Sequence, residues 1–450
     1  MRNDPKMDPV VDRGAIVSSA GCGRRPPTAL RGTVTDPAAG TVRLSLHRSR
    51  TTDQGPVVAD PAAVHARHVD SPFIRACRGL PHDTVPVWFM RQAGRALAEY
   101  RAIRADHDFE QVVQTPELAA EVTLQPVRRY GTDAAILFSD IVTPVQAMGL
   151  GVTIKPGVGP VVDEPIRTIA DLERLRRFEP DVDAPFVLDT VSILVDELDV
   201  PLIGFAGAPF TVASYLVEGG PSRSYTRTKA LMFGDELTWH RLMDRLAGIT
   251  LASLRAQVER GASAVQLFDS WAGALNPYDY QRFVEPHSRR VFEELADLGV
   301  PRIHFGVNTG ELLGRMAAAG ADVVGVDWRT PLDVGRERIP EGVGFQGNLE
   351  PAVCLGPLDH VEARVRDVLA RAGGRVDHVF NLGHGVLPPT DPAVLTHVVE
   401  LVHREGRTDG TLAPGVAPLR PEVESPRPDA DTGGTDEPPH GDGPRPAVGR

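Results

Sequence analysis

Cysteine is scarce in this 450-residue chain: Cys22, Cys77 and Cys354 lie far apart and are odd in number. That excludes a disulfide framework and a paired-cysteine zinc knuckle, and it fits a reducing, cytoplasmic location. Lysine is equally scarce, limited to Lys6, Lys155 and Lys229, none at the end of an expected strand. A Schiff-base lysine is therefore not a candidate for catalysis. No run of about 18 apolar residues is present to span a bilayer, and Asp4, Asp8 and Asp12 replace the apolar core of a signal peptide. Neither a Gly-x-Gly-x-x-Gly turn after a strand nor a Gly-x-x-x-x-Gly-Lys-Ser/Thr loop occurs, so nucleotide phosphates lack their usual cradle. The formal net charge of -12 argues against a nucleic-acid or anionic-membrane surface. Any acidic ligand must be met by local cations.

What is present is an alternation. Short apolar, β-rich runs recur at Val87–Met90, Ala134–Phe138, Leu202–Ala206, Ala264–Phe268, Arg302–Phe305, Asp322–Val326, Gly342–Gln346 and His378–Leu382. Between several of them lie amphipathic helical patterns, at Leu242–Glu259, Gln281–Leu298, Gly310–Ala319 and Val361–Ala372. Eight strands alternating with helices predict an α/β fold, a single (β/α)8 TIM barrel over residues 66–405. An open doubly wound sheet is the alternative. Residues 1–65 mix Arg, Asp, Pro and Gly without sustained periodicity and read as a mostly disordered extension, with a short strand conceivable at Thr41–Leu46. A start codon assigned too far upstream is another origin for this extension. Residues 406–450, rich in Pro, Gly and Asp, read as a second disordered tail.

Barrels carry their chemistry on the loops that follow the strands. After the first run come Arg91, Gln92 and Arg95, after the second Ser139 and Asp140, and after the third a Gly-Ala-Pro-Phe-Thr turn leading to Tyr215. The fourth is followed by Asp269, Ser270 and Trp271, the sixth by Asp327 and Trp328, the seventh by Gly347 and Asn348, and the eighth by Gly383, His384 and Gly385. Arginines at a strand mouth suit carboxylates or phosphates, because the guanidinium fork gives two parallel charge-assisted hydrogen bonds. A surface ion pair with Glu99 or Asp106 is the plain alternative. Asp140 and Ser270 also suit helix caps, Tyr215 a core position with a bonded hydroxyl, and His384 a structural histidine between glycines. Their convergence on one face favours a site.

Longer blocks carry a resemblance. Pro86-Val-Trp-Phe-Met-Arg-Gln-Ala-Gly-Arg95 and Gly204-Phe-Ala-Gly-Ala-Pro-Phe-Thr-Val-Ala-Ser-Tyr-Leu-Val-Glu-Gly-Gly220 resemble the two signatures of the uroporphyrinogen decarboxylase family. Phe138–Ile141, Gln266–Gly273, Phe345–Glu350 and Phe380–Pro388 are similar to further family blocks, in the same order, and the likeness extends from about Asp70 to about Arg404. The resemblance implies a carboxy-lyase of porphyrin and heme biosynthesis. It would convert the four acetate arms of uroporphyrinogen III to methyls, giving coproporphyrinogen III, as a homodimer with no cofactor and no metal. Family roles would place Arg91, Asp140, Tyr215 and His384 in catalysis. Arg91, Gln92, Arg95, Asp140, Phe205, Tyr215, Phe268, Ser270 and His384 would bind substrate.

Two alternatives share the fold. Zinc-dependent corrinoid methyltransferases bind metal through His-x-Cys and a later Cys, but the matching segment here is His304-Phe305-Gly306 and the later position is His384, without thiolates. A non-catalytic tetrapyrrole-binding scaffold would not need the full polar set. One departure from the family pattern stands beside the arginines: Ala96-Leu97-Ala98-Glu99 replaces the usual Tyr-Leu-Pro-Glu, which puts the stiffness of that loop in question.

Overall fold

The computed structural model describes residues 67–419 and, as a separate unit, the backbone of two strands, β1 (Thr33–Asp36) and β2 (Ala39–Arg43), paired antiparallel. The strand expected at Thr41–Leu46 thus overlaps β2. The disorder expected for the rest of residues 1–65, and for residues beyond 419, lies outside the described residues.

In the main unit, β3 (Ala135–Ile136) is followed by an antiparallel hairpin of β4 (Val152–Lys155) and β5 (Gly159–Val162), which the apolar pattern did not suggest. Then come β6 (Leu202–Gly207), β7 (Ala264–Asp269), β8 (Arg302–Gly306), β9 (Val323–Gly325), β10 (Gly344–Gln346) and β11 (His378–Val379). The parallel sheet runs β3-β6-β7-β8-β9-β10-β11, so neighbours in sequence are neighbours in space once the hairpin is set aside.

The segment Pro86–Met90 takes the eighth place. Val87 bridges Phe380 in parallel, the Phe380 N–H donates to the Pro86 carbonyl at 2.9 Å, and on the other side the Asp133 N–H donates to the Val87 carbonyl at 2.8 Å. This segment joins the two edges of the sheet and closes the barrel, as the eight-strand pattern predicts. Its main-chain ladder is thin, and side chains complete it. The Asp133 carboxylate accepts from the Val87 N–H at 2.7 Å, Asn381 Oδ1 from the Met90 N–H at 3.1 Å, and Gln92 bridges the Phe89 N–H and the Ala134 carbonyl.

Parallel strands covered on both faces must be apolar throughout, and β6, β7 and β8 are buried along almost their whole length. Inside the barrel, Trp88, Ile136, Ile203, Ile303, Phe305, Val323 and Val379 pack together, with Phe73 and Ile74 of helix Pro72–Cys77 in the same cluster. Trp88 Nε1 donates to Gln346 Oε1 at 2.9 Å and Gln346 Nε2 to Gln266 Oε1 at 3.1 Å, a polar thread through the apolar interior.

Outside, helix Glu236–Glu259 is capped by Asp235, whose carboxylate accepts from the Thr238 N–H and hydroxyl, and it buries Leu242, Leu246 and Leu254. Each such leucine contributes about 1.5–3 kcal/mol relative to exposure. The expected helix Gln281–Leu298 is divided into Pro277–Phe283 and Glu285–Leu295, because Pro286 lacks the N–H that continuity needs. The expected tail boundary at 406 also shifts. Ala413 and Val416 are buried in the main core, and the Leu419 N–H donates to Asp367 at 2.7 Å, so packed chain continues through 419. Few but well-placed apolar residues suffice there.

Candidate active site

Arg91 sits where the closing segment ends, with φ 57°, a left-handed conformation uncommon outside glycine. That turn lays its side chain over Gly385, where a Cβ would stand only 2.5 Å from Arg91 Cδ. The loop carrying His384 is bound to the same point, since the Val386 N–H donates to the Met90 carbonyl at 2.9 Å while Asn381 holds the Met90 N–H. Arg91 and His384 are thus juxtaposed by backbone.

Neither Arg91 nor Arg95 forms an ion pair among the described residues. Glu99 instead approaches Arg129 at 3.7 Å, and Asp106 has no ion-pair partner among the described residues, so the surface-pair alternative fails. The loop is stiffened without the family's aromatic and proline. Arg101 Nη1 donates to the carbonyls of Arg95 at 2.8 Å and Ala96 at 2.9 Å, and Leu97 is fully buried as the residue capping helix Ala98–Asp106.

Asp140 follows β3. Its Oδ1 accepts from the Val142 N–H at 3.0 Å, so part of the cap alternative is realised, while its own N–H donates to Thr143. Burial pushes its carboxyl above the usual carboxylate range, opposed by the Val142 N–H and by the Arg91 charge. Arg91 is the one arginine among the main groups acting on it. Beyond Ile203, β3 and β6 diverge, and Gln257 fills the vacated hydrogen-bonding edge by accepting from the Phe205 N–H and donating to the Phe205 carbonyl. A crevice behind Asp140, lined by Ser139, Phe178, Phe205 and Gln257, opens at this split.

Tyr215 lies on helix Pro209–Glu218, stacked on Trp271 with ring centroids 3.9 Å apart. Its hydroxyl is pushed above the usual phenol range, first by burial and then by Asp140, with Arg91 acting the other way. It is therefore a protonated donor at any working pH, and Asp140, Tyr215 and Arg91 share one cleft. His384 is driven down to about 4, by burial first and then by the charges of Arg91 and Arg329. Its Nδ1 accepts from the Gly385 N–H, so the neutral ring carries its proton on Nε2. Phe205 and Phe268 meet edge to face at 5.4 Å, and Phe268 meets Phe305 at 6.1 Å, giving the cleft an aromatic floor. Ser270 follows β7, half-buried, with no hydrogen-bond partner among the described residues.

Gln92 departs from expectation. It is fully buried, with both ends of its amide committed to the Phe89 N–H and the Ala134 carbonyl, so its side chain closes the barrel rather than facing a ligand. Trp271 was marked as following a strand but not as a stacking partner, and Arg329, next to the marked Trp328, was missed as a further cation. His304 of the alternative metal motif is fully buried in the wall, with Nε2 3.6 Å from Asp269.

An eight-stranded α/β barrel with unpaired cations, a half-buried carboxylate and aromatic rings at its C-terminal mouth defines a barrel enzyme built for an anionic, ring-bearing ligand. Its lineage follows from comparison. The family model for uroporphyrinogen decarboxylase (URO-D) matches residues 69–405. A uroporphyrinogen decarboxylase of Salinispora tropica is 59% identical over 352 residues, 78% of this chain and 93% of that one. One from Streptomyces coelicolor is 58% identical over 356 residues, 79% of this chain and 99% of that one. This chain belongs to the uroporphyrinogen decarboxylase family, whose members are decarboxylases of heme biosynthesis. Among solved structures, a methyltransferase from Methanosarcina mazei matches with TM-score 0.61 at 22% identity, covering 75% of this chain and 98% of that one, a likeness of fold alone.

Proposed function

We propose that this chain removes the carboxyl groups of the four acetate arms of uroporphyrinogen III, releasing CO₂ and leaving methyls, with Asp140 and Arg91 at the centre of the cleft. The observation that carries this is Arg91, without an ion-pair partner among the described residues and yet acting electrostatically on Asp140, Tyr215 and His384. An eight-carboxylate substrate needs free cations, and the reaction needs a carboxylate beside them.

Breaking the acetate C–COO⁻ bond leaves an electron pair that requires a sink. Protonation of a pyrrole carbon makes the ring cationic. The pair from the broken bond then neutralises the ring and leaves an exocyclic methylene. A proton added to that methylene gives the methyl, and loss of the ring proton restores the pyrrole. Ionised Asp140, preorganised in a partly desolvated cleft, stabilises the cation by accepting from pyrrole N–H groups. Arg91 and Arg95 hold carboxylate arms and so orient the ring.

Tyr215 and His384 Nε2–H serve as neutral donors, and imidazolium is not the acid, because His384 stays neutral near pH 7. Phe205 and Phe268 supply the apolar walls and Ser270 a hydroxyl at the rim.

We also place the protein in the cytoplasm as a homodimer. The described cysteines, Cys77 and Cys354, are buried free thiols, the latter pushed up to about 12 by burial, and no described helix is long and apolar enough to cross a membrane. Light scattering of purified protein gives the mass, and a monomer would remove the dimer.

The test of function is turnover. Uroporphyrinogen III is incubated with folded enzyme, oxidised, and its porphyrins resolved by carboxyl number. Progress from eight towards four supports the assignment, and persistence at eight rejects it.

A further inference from the structure

At the end of β9 the chain reads Asp327-Trp328-Arg329, and the turn it forms is held from every side. The fully buried Asp327 carboxylate accepts from the Asn308 N–H, the Arg329 N–H at 3.1 Å and Arg329 Nη1 at 3.0 Å. Asn348 Nδ2 donates to the carbonyls of Asp327 at 2.9 Å and Thr330 at 2.6 Å. Gly383 lets the Trp328 backbone press against the His384 loop, where a Cβ would collide with it. The Arg329 guanidinium lies over the Trp328 ring, Cζ 3.7 Å from the centroid, and the Trp328 and His384 rings lie with centroids 6.0 Å apart.

The result is a cation fixed in place yet open. Cation–π stacking and one carboxylate contact define its orientation, and its side chain remains 47% exposed. A guanidinium has five N–H donors in a planar fork, and the Asp327 contact uses one of them. Its charge also bears on His384, as does that of Arg91. An exposed arginine serving stability alone has no need of such a mount, since its partner Asp327 already has two backbone donors.

We propose that Arg329 is a third carboxylate-binding cation of the cleft, taking an acetate or propionate arm of the substrate beside His384, in addition to the arms held by Arg91 and Arg95. It rests on the decarboxylase assignment for the identity of the arm, but not for the presence of an anion site. With Trp328 as its platform, Arg329 sets how the ring is turned, so it determines orientation and affinity rather than bond breaking.

The experiment uses the full chain and two readouts. Arg329→Gln keeps the shape and a hydrogen-bonding end but removes the charge, and Arg329→Lys restores the charge without the fork. Equilibrium binding of uroporphyrin III, the oxidised octacarboxylate, is read by quenching of tryptophan fluorescence. Kinetic constants are measured with uroporphyrinogen III, and melting temperature is recorded for each variant. The expected result is a Kd and a KM roughly tenfold higher in Arg329→Gln, matching loss of one charge-assisted contact. In that variant kcat stays within about twofold and melting is unchanged, while Arg329→Lys recovers part of the affinity.

Unchanged Kd in Arg329→Gln overturns the proposal, as does a variant that melts earlier and loses kcat with KM intact, which marks a purely structural role. Wild-type protein that binds uroporphyrin III without turning over the reduced substrate rejects the decarboxylase assignment while leaving the anion site standing.

Discussion

The lower end of the barrel and the Arg91–Asp140 side of its upper end treat charge in opposite ways. At the lower end, carboxylates placed just before strands are all engaged. Asp322 takes three donors from Arg302, at 2.8 and 2.9 Å, Asp377 takes both ends of Arg375, and Asp133 binds the Val87 N–H and His403 Nε2 at 2.7 Å each. On the Arg91–Asp140 side, Arg91 and Arg95 have no ion-pair partner among the described residues, Asp140 is held above its ordinary pKa, and His384 is kept neutral among cations. The lower end is arranged for stability. The upper end stores unsatisfied interactions that a polyanionic substrate would satisfy, which is where strain and unpaired charge are expected in an enzyme.

The largest expected effect is at the top. Asp140→Asn should lower kcat roughly a thousandfold, the scale seen on losing a preorganised electrostatic stabiliser. Its melting temperature should be unchanged or higher at neutral pH. The sign follows from the raised folded-state pKa: burial makes the ionised carboxylate less favourable folded than unfolded, so removing the charge relieves that penalty. A melting temperature that falls sharply would put Asp140 with the lower-end carboxylates and erase the contrast.

Next in size, Arg91→Ala should reduce kcat/KM by about 10–100-fold, the equivalent of one charged hydrogen-bonded contact, mostly through KM. Arg302→Ala sharpens the comparison from the other side. It should destabilise by about 1–3 kcal/mol, because it leaves Asp322 only partly satisfied at the lower end of the strands, with kcat per folded molecule unchanged. Lost kcat at constant stability would show that the lower end reaches the chemistry.

The smallest effect is pH-dependent. The hydrogen bond to Asp133 raises the pKa of His403. Its contribution to stability is complete below the ordinary histidine value of about 6.5 and is lost as pH rises through the raised folded value. His403→Gln should therefore lower the melting temperature most near pH 6 and least in the alkaline range. His384 runs the opposite way: its neutral folded form loses stability as pH falls from the ordinary value towards about 4.

The strands were legible because each is a short β-rich apolar run, and parallel strands buried on both faces leave little else in the sequence. Asp140, Tyr215 and His384 were marked because they follow strands, and the fold brings them under the influence of one arginine. Gln92 stands at an equivalent position but stitches the barrel shut. Sequence shows which polar residues end a strand, and only the paired backbone shows which of them closure consumes. Arg101 was hidden for a related reason, since its role depends on two carbonyls of an irregular loop. The β4–β5 hairpin alternates over only four residues, Val152 to Lys155, around a Pro-Gly turn, and the packed chain through 419 carries too few apolar residues to stand out from loop.

In the proposed reaction the mouth divides its labour, with cations binding the substrate and Asp140 acting on the charge that develops. This division is tested most directly by titrating uroporphyrinogen III into Asp140→Asn and into the Asp140→Asn, Arg91→Ala double variant under anaerobic conditions. The expected result is that the single variant binds within a few-fold of the wild-type KM while releasing CO₂ about a thousandfold more slowly, and that adding Arg91→Ala weakens binding about 10–100-fold. Loss of binding in Asp140→Asn alone, or equal binding by both variants, would contradict it.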